Sequence, residues 1–259
     1  MIFMLTVITF IIMLTAIAFP TLMLTITYPF SRKCALFWSN YITTRTDRIV
    51  FAILRYYRGF RFLGGNENLS DLPEQFLVLS NHQSLMDIVV YLVYFGKMGK
   101  EVRFVAKDDL NKVPMVGKML RSQGHCMIPR KGGASVAMKH LEQFAGRVMK
   151  KNQIPVIFPE GTRSKDGKLK DFYSAGFRRI EQYTHSPVAV CVLDGGWKLS
   201  KLGDLFRNLK KGAYRVKVLK VYDVPESKDD EKRILEEAHF LMEDQLEKWR
   251  KLAPDSLEV

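Results

Sequence analysis

Charge is missing from the beginning of this chain: no Asp, Glu, Lys or Arg occurs between Met1 and Ser31. No basic residue therefore precedes the apolar run, and the positive leader of a cleaved signal peptide is lacking, although Ala16-Ile17-Ala18 resembles a small-x-small cleavage site. Cysteine is scarce as well. Cys34, Cys126 and Cys191 are odd in number and far apart, with no Cys-x-x-Cys pair, which argues against both a disulfide framework and a zinc site. Internal repeats and low-complexity tracts are absent. So are the helix-turn-helix, finger and RNA-binding aromatic signatures that would assign a basic chain to nucleic acid.

What is present is a chain of 259 residues, 47% of them hydrophobic, enough for one catalytic-size domain with an appendage. Its net charge of +13 calls for an anionic partner. The uncharged start selects an anionic membrane surface over nucleic acid. Met1 to Ser31 exceeds the ~20 apolar residues that cross a bilayer core of ~30 Å. Pro20 and Pro29 interrupt it, so a re-entrant helix pair competes with a straight span. Arg32-Lys33 follow, and then Arg45, Arg48, Arg55, Arg58 and Arg61 alternate with residues such as Ile49, Phe51, Ile53, Tyr56 and Phe60. This is the pattern of an interfacial helix, with rings among headgroups and arginines on lipid phosphates, though an ordinary amphipathic helix has the same pattern. The organisation expected is an anchor with an interfacial basic helix over 1–62 and a globular domain over 63–259. The flanking arginines place that domain on the cytoplasmic face.

Beyond Gly64-Gly65-Asn66 the period changes. Strand-like runs at Phe76–Leu79, Val102–Ala106, Ile154–Phe158, Val188–Leu193 and Tyr214–Val221 alternate with helical patterns near 85–98, 135–151, 171–183 and 229–251. Such alternation predicts an α/β fold with a mixed, largely parallel central sheet flanked by helices. The last helix, with Leu235, Ala238, Leu241, Met242, Leu246 and Trp249, reads as a packing helix. Leu110–Arg121 reads as a packed surface helix or as part of a lipid entry.

The stretch Ser80-Asn81-His82-Gln83-Ser84-Leu85-Met86-Asp87 lies between the first of these strands and its helix. On one continuous helix His82 and Asp87 would sit about 140° apart and would not meet. A strand-to-helix turn removes that limit. Ser84 and Asp87 have capping-box spacing, which predicts Ser84 as N-cap and Asp87 as the third helical residue, ionised near the positive end of the helix dipole. Asp87 then accepts from one ring nitrogen of His82 and leaves the other free as a base. Downstream, Pro159-Glu160-Gly161-Thr162-Arg163-Ser164 ends the strand Ile154–Phe158. A carboxylate, a flexible backbone, a hydroxyl and a guanidinium in one loop suit a phosphate with neighbouring hydroxyls.

Asn-His-x4-Asp followed by Phe-Pro-Glu-Gly-Thr-Arg-Ser resembles the glycerolipid acyltransferase family, the group containing 1-acyl-glycerol-3-phosphate acyltransferases. The likeness covers roughly residues 76–195. Lys107-Asp108-Asp109-Leu110 with Pro114 and Gly117 is similar to a further family block, with Asp109 for the usual Glu, and Met127-Ile128-Pro129-Arg130 to another. Ser186-Pro187-Val188-Ala189-Val190 matches a fourth only in part. The resemblance implies that His82 deprotonates the glycerol hydroxyl of lysophosphatidic acid, which attacks the thioester of acyl-CoA or acyl-carrier protein to give phosphatidic acid, while Asp87 orients the imidazole. It further implies Lys107, Arg130 and Arg163 as contacts of the acceptor's phosphate, Glu160, Gly161 and Thr162 as shapers of the glycerol pocket, and no cofactor or metal. Another lysophospholipid or a lyso-aminolipid as acceptor, and a non-catalytic basic lipid-binding membrane protein, are the alternatives. Ser84 and Cys126 count as structural residues.

Overall fold

The computed structural model describes residues 2–58, 61–64, 69–129, 131–199, 213–252 and 256. A seven-stranded sheet organises them: β1 (Arg61–Leu63), β2 (Leu77–Ser80), β3 (Val102–Lys107), β4 (Cys126–Ile128), β5 (Ile154–Ile157), β6 (Val188–Asp194) and β7 (Ala213–Tyr222), in the order β1-β7-β6-β2-β5-β3-β4. All neighbouring strands are parallel except β6 and β7. The alternation of strands and helices therefore led to the right architecture, and β1 and β4, at three residues each, are too short to leave a periodic trace.

Strand β2 is central, between β6 and β5, and all four of its residues are buried. A strand covered on both faces has no polar side, which is why its sequence runs apolar without alternation. Leu77 and Leu79 point to one face and pack with α6 (Gly133–Lys150), α7 (Ser174–Thr184) and α8 (Lys228–Lys251). Val78, with Phe76 just before the strand, points to the other and packs with α4 (Met86–Gly96) through Val90, Tyr91, Tyr94 and Phe95. The packing helix expected at the carboxyl end is α8. Ile234, Leu235, Ala238, Met242, Leu246 and Trp249 bury one stripe, and the hydroxyl of Ser227 caps it by accepting from Asp230 N at 3.1 Å.

The uncharged start forms α1 (Ile2–Thr27), turns at Tyr28–Phe30, and returns as α2 (Arg32–Tyr41). A π-helical turn at Ile42–Thr46 leads into α3 (Asp47–Arg58). The structure thus has two helices joined by a turn, and among the described residues no helix is long and apolar enough to cross a membrane, so the straight span that the apolar run led one to expect is not found. Two details correct the sequence reading. Pro20 does not interrupt α1. A proline in a helix leaves the carbonyl four residues back without its partner, and here the hydroxyl of Thr46 donates to Ala16 O at 3.0 Å. Of the single basic helix expected across 45–61, Arg45 lies in the π-turn, Arg48, Arg55 and Arg58 lie in α3, and Arg61 belongs to β1, which pairs with β7, so the boundary expected at residue 62 falls inside a strand.

The helix pair is joined to the globular part by buried polar contacts on α5 (Pro114–Gln123) and the residues after it. Ser39 Oγ donates to Met119 O at 3.1 Å, and Gln123 Nε2 donates to Thr43 Oγ1 at 2.9 Å and to Asn40 Oδ1 at 3.2 Å. His125 orients that amide. Burial, aided by the charges of Arg103 and Arg147, pushes its imidazole down to about 3. The ring is then neutral, Nδ1 accepts from Phe104 N at 2.9 Å, and Nε2 is left to donate to Gln123 Oε1 at 3.0 Å.

Candidate active site

His82 follows the carboxyl end of β2, Lys107 ends β3, and Glu160 to Arg163 follow β5, so three adjacent parallel strands deliver these groups to one edge of the sheet. Open α/β sheets form their ligand crevices at that edge. His82, Lys107, Gly161, Thr162 and Arg163 share the wall of one cavity of about 490 Å³. Its deeper wall is apolar: Val105, Ile128, Leu141 and Ile157 line it beneath the polar rim. Arg130 lies outside the described residues.

Within this edge the histidine is tightly held. Its Nδ1 is 2.6 Å from Asp87 Oδ2, and the ring stacks on Phe158 with centroids 4.1 Å apart and planes 8° from parallel. Since Oδ2 can only accept, Nδ1 carries the proton and Nε2 is the ring nitrogen left for chemistry. Asp87 is fully buried, and Oδ2 also accepts from the backbone N–H groups of Gln83 (2.6 Å) and Ser84 (2.9 Å), while Oδ1 accepts from the Tyr214 hydroxyl.

This arrangement revises the capping box. Helix α4 begins at Met86, with Leu85 as N-cap, and the Ser84 hydroxyl accepts from Met86 N at 3.3 Å rather than from Asp87 N. Asp87 is the second helical residue, and its side chain folds back over the turn to gather the donors of residues 82, 83 and 84. One carboxylate thus both closes the turn and aims the imidazole.

Glu160 occupies a position that the sequence did not reveal. It is buried and lines the pocket adjoining the His82 cavity, beside Gly161 and Thr162; Oε1 accepts from His82 N at 2.7 Å and Oε2 from Lys170 N at 3.1 Å. Ser164 N in turn donates to His82 O at 2.7 Å, so the loops after β2 and β5 are laced together in both directions. Burial pushes the Glu160 carboxyl up to about 7, the nearby charge of Asp87 adds to this, and the two backbone donors and Lys170 oppose it. The folded chain holds a proton on Glu160 between about pH 4.5 and about pH 7 that the unfolded chain releases, so this carboxyl's contribution to stability declines as pH rises through that window. Glu160→Gln presents an amide N–H to a backbone donor. It is expected to destabilise the fold by about 1–3 kcal/mol in urea unfolding, with a gap to wild type that narrows towards alkaline pH.

Other features were not foreseen. Asn81 pairs with β6 as a backbone would, Nδ2 donating to Leu193 O at 2.9 Å and Oδ1 accepting from Leu193 N at 2.8 Å. Gln83 Nε2 donates to Asp194 Oδ1 at 3.1 Å, and Oε1 accepts from Gly196 N at 3.1 Å. Asn81 and Gln83 flank His82, which was a signal available in the sequence. Phe158 opens the Phe-Pro-Glu-Gly-Thr-Arg-Ser motif, whereas Asp194, Gly196 and Tyr214 had no such signal. Cys126 is buried with its thiol pushed up to about 12 by that burial, which suits a structural and not a nucleophilic cysteine.

The site thus combines a carboxylate-oriented imidazole with a cavity that has both apolar and basic lining. The chain belongs to the Acyltransferase family, whose sequence model matches residues 63–226. It is 34% identical over 131 residues to the 1-acyl-sn-glycerol-3-phosphate acyltransferase of Cocos nucifera, covering 49% of this chain and 40% of that protein. It is 29% identical over 162 residues to the enzyme of the same name from Limnanthes douglasii, covering 60% of this chain and 51% of that protein. The chain thus spans about half the length, or less, of these curated relatives. The crystal structure of the 1-acyl-sn-glycerophosphate (LPA) acyltransferase PlsC from Thermotoga maritima shares the fold, with a TM-score of 0.63, 22% identity, and coverage of 94% of this chain and 93% of that one.

Proposed function

We propose that this protein is a membrane-surface acyltransferase that moves a fatty acyl group from acyl-CoA or acyl-carrier protein to the free glycerol hydroxyl of lysophosphatidic acid, giving phosphatidic acid. The observation that carries this reading is the His82–Asp87 pair opening into a cavity whose rim holds Lys107 and Arg163 and whose depth is apolar. His82 Nε2 takes the proton of the acceptor hydroxyl as its oxygen attacks the thioester carbonyl carbon. The tetrahedral intermediate collapses with cleavage of the C–S bond, and the thiolate leaves with the proton returned by His82. Asp87 balances the imidazolium in between. Lys107 and Arg163, both exposed at the rim, take the acceptor's phosphate, with Arg130 as the third expected contact. Gly161, with φ of +61°, allows the backbone to pass close to the glycerol, and Thr162 offers it a hydroxyl. Glu160 acts from behind by fixing the loop. None of these steps needs a cofactor or a metal.

The amino-terminal helices give the enzyme its place. Ile11, Ile12, Leu14, Phe19, Leu22, Ile26, Phe30 and Phe37 are exposed, and the exposed Arg32, Lys33, Arg45, Arg48 and Arg55 stand close to them in the chain. Apolar side chains beside basic ones suit an anionic lipid surface, with the globular part on the cytoplasmic side, where acyl thioesters are supplied. A lysolipid then offers its head to the basic rim while its chain stays in lipid. A lyso-aminolipid is the second reading, favoured by Asp109, which places a carboxylate on the same cavity wall.

The purified protein in mixed micelles, given a panel of lysophosphatidic acid, other lysophospholipids and lyso-aminolipids with either thioester donor, is expected to acylate lysophosphatidic acid fastest. Transfer to none of them would sink the enzyme reading in favour of a lipid-binding protein. In the same assay Arg163→Ala should raise KM for lysophosphatidic acid roughly ten- to hundred-fold with kcat nearly kept. This corresponds to the ~1.5–3 kcal/mol of a charge-assisted contact, provided KM tracks binding.

A further inference from the structure

Tyr214 is fully buried near the start of β7, on the strand beyond β6, and donates its hydroxyl to Asp87 Oδ1 across 127 residues of sequence. Two glycines at the end of β6 make room for this. Gly195 has φ of +100°, and a Cβ there would overlap Ala213 O. At Gly196 a Cβ would lie inside contact distance of the Tyr214 hydroxyl and 2.9 Å from Asp87 Oδ1. The amide of Gly196 also donates to Gln83, so the β6–β7 side grips the His82–Asp87 loop through both Gln83 and Asp87.

We propose that Tyr214, seated by Gly196, is a positioning residue of the His82–Asp87 relay: its hydroxyl holds Oδ1 so that Oδ2 faces His82, and it takes up part of the carboxylate's charge. Within hydrogen-bonding range of Asp87 are His82, the Gln83 and Ser84 amides, and Tyr214 itself. Its charge is also felt by Tyr91 from α4 and Glu160 from the loop after β5, and Asp194 at the end of β6 acts on Tyr214. Burial and the neighbouring Asp87 keep the Tyr214 phenol far above its ordinary range, so it serves as a donor throughout the working pH range. With the hydroxyl removed, Asp87 carries more of its charge on the His82 side, which favours the imidazolium and leaves less free base at neutral pH.

The kinetic part of this inference rests on the acyl-transfer reading, whereas the ring titration does not. In full-length protein in micelles, the His82 ring is titrated by 15N NMR in wild type and in Tyr214→Phe, with kcat and KM measured alongside. The titration midpoint and the acid limb of the pH–rate profile are expected to rise together by about one unit, with kcat on the acid limb up to about ten-fold lower and KM for lysolipid within about two-fold. Tyr91→Phe, which removes a neighbouring buried hydroxyl bonded to Ser80 at 2.5 Å, should leave the His82 midpoint in place. If Tyr214→Phe is not recovered folded, Gly196→Ala crowds the same bond from the other side and should move the midpoint in the same direction. An unmoved midpoint in a folded variant overturns the proposal and reduces Tyr214 to packing. A wild type without acyl transfer would overturn the proposed function, and the midpoint would still decide the role of Tyr214.

Discussion

His82→Ala is expected to lower kcat by about 10²–10⁴-fold or more, the range for loss of a general base, with KM for the lysolipid largely retained. The separation of effects follows from the site. The imidazole is partly exposed at the cavity wall, and the contacts that fix its loop are made by its backbone: its N–H donates to Glu160 and its carbonyl accepts from Ser164. Truncating the side chain removes the stack on Phe158 and one donor from Asp87 but leaves the lacing between loops in place, and Lys107 and Arg163 remain at the rim. Steady-state kinetics on a folded sample check this. Near-normal turnover would show that the proton is taken elsewhere. Neither Cys126 nor Ser84 is then well placed as a covalent carrier: Cys126 is buried with a raised thiol, and the Ser84 hydroxyl is buried and accepts from Met86 N.

Asp87→Asn should be nearly as severe, for a different reason. The amide oxygen can keep all three contacts now made by Oδ2, provided Nδ2 turns to Tyr214, whose hydroxyl then accepts instead of donating. The turn is therefore expected to survive with little change in thermal unfolding. The charge is what disappears, and with it the stabilisation of the imidazolium formed at each proton transfer. A kcat loss approaching ~10⁴-fold is the expectation set by the equivalent change in a serine-protease triad. Turnover near wild type would mean that Asp87 serves only the turn, and a collapsed melting transition would mean that Tyr214 does not tolerate the amide.

Much of this is legible in the amino-acid sequence. The apolar runs at 76–79, 154–158 and 188–193 became strands buried on two faces, which need no polar side, so their signature is continuous and local. The runs at 102–106 and 214–221 carry basic residues among the apolar ones and became strands as well. The pairing of His82 with Asp87 was equally local, since a turn of five residues confines both partners. The Ser84 cap was misjudged because a carboxylate that gathers several donors outcompetes a hydroxyl for the same turn. Pro20 was misjudged because the group that satisfies Ala16 O, the hydroxyl of Thr46, lies 30 residues away.

By itself, then, the amino-acid sequence determined the class of fold and the pairing of His82 with Asp87, because each depends on neighbours within one turn or one strand. Only the tertiary structure decided that Glu160 binds the backbone of His82, and that Asn81 and Gln83 tie the loop to β6. It alone brought Tyr214 to Asp87. Those contacts join positions about 80 to 130 residues apart, where the order of strands in the sheet, and not any spacing along the chain, sets the distance.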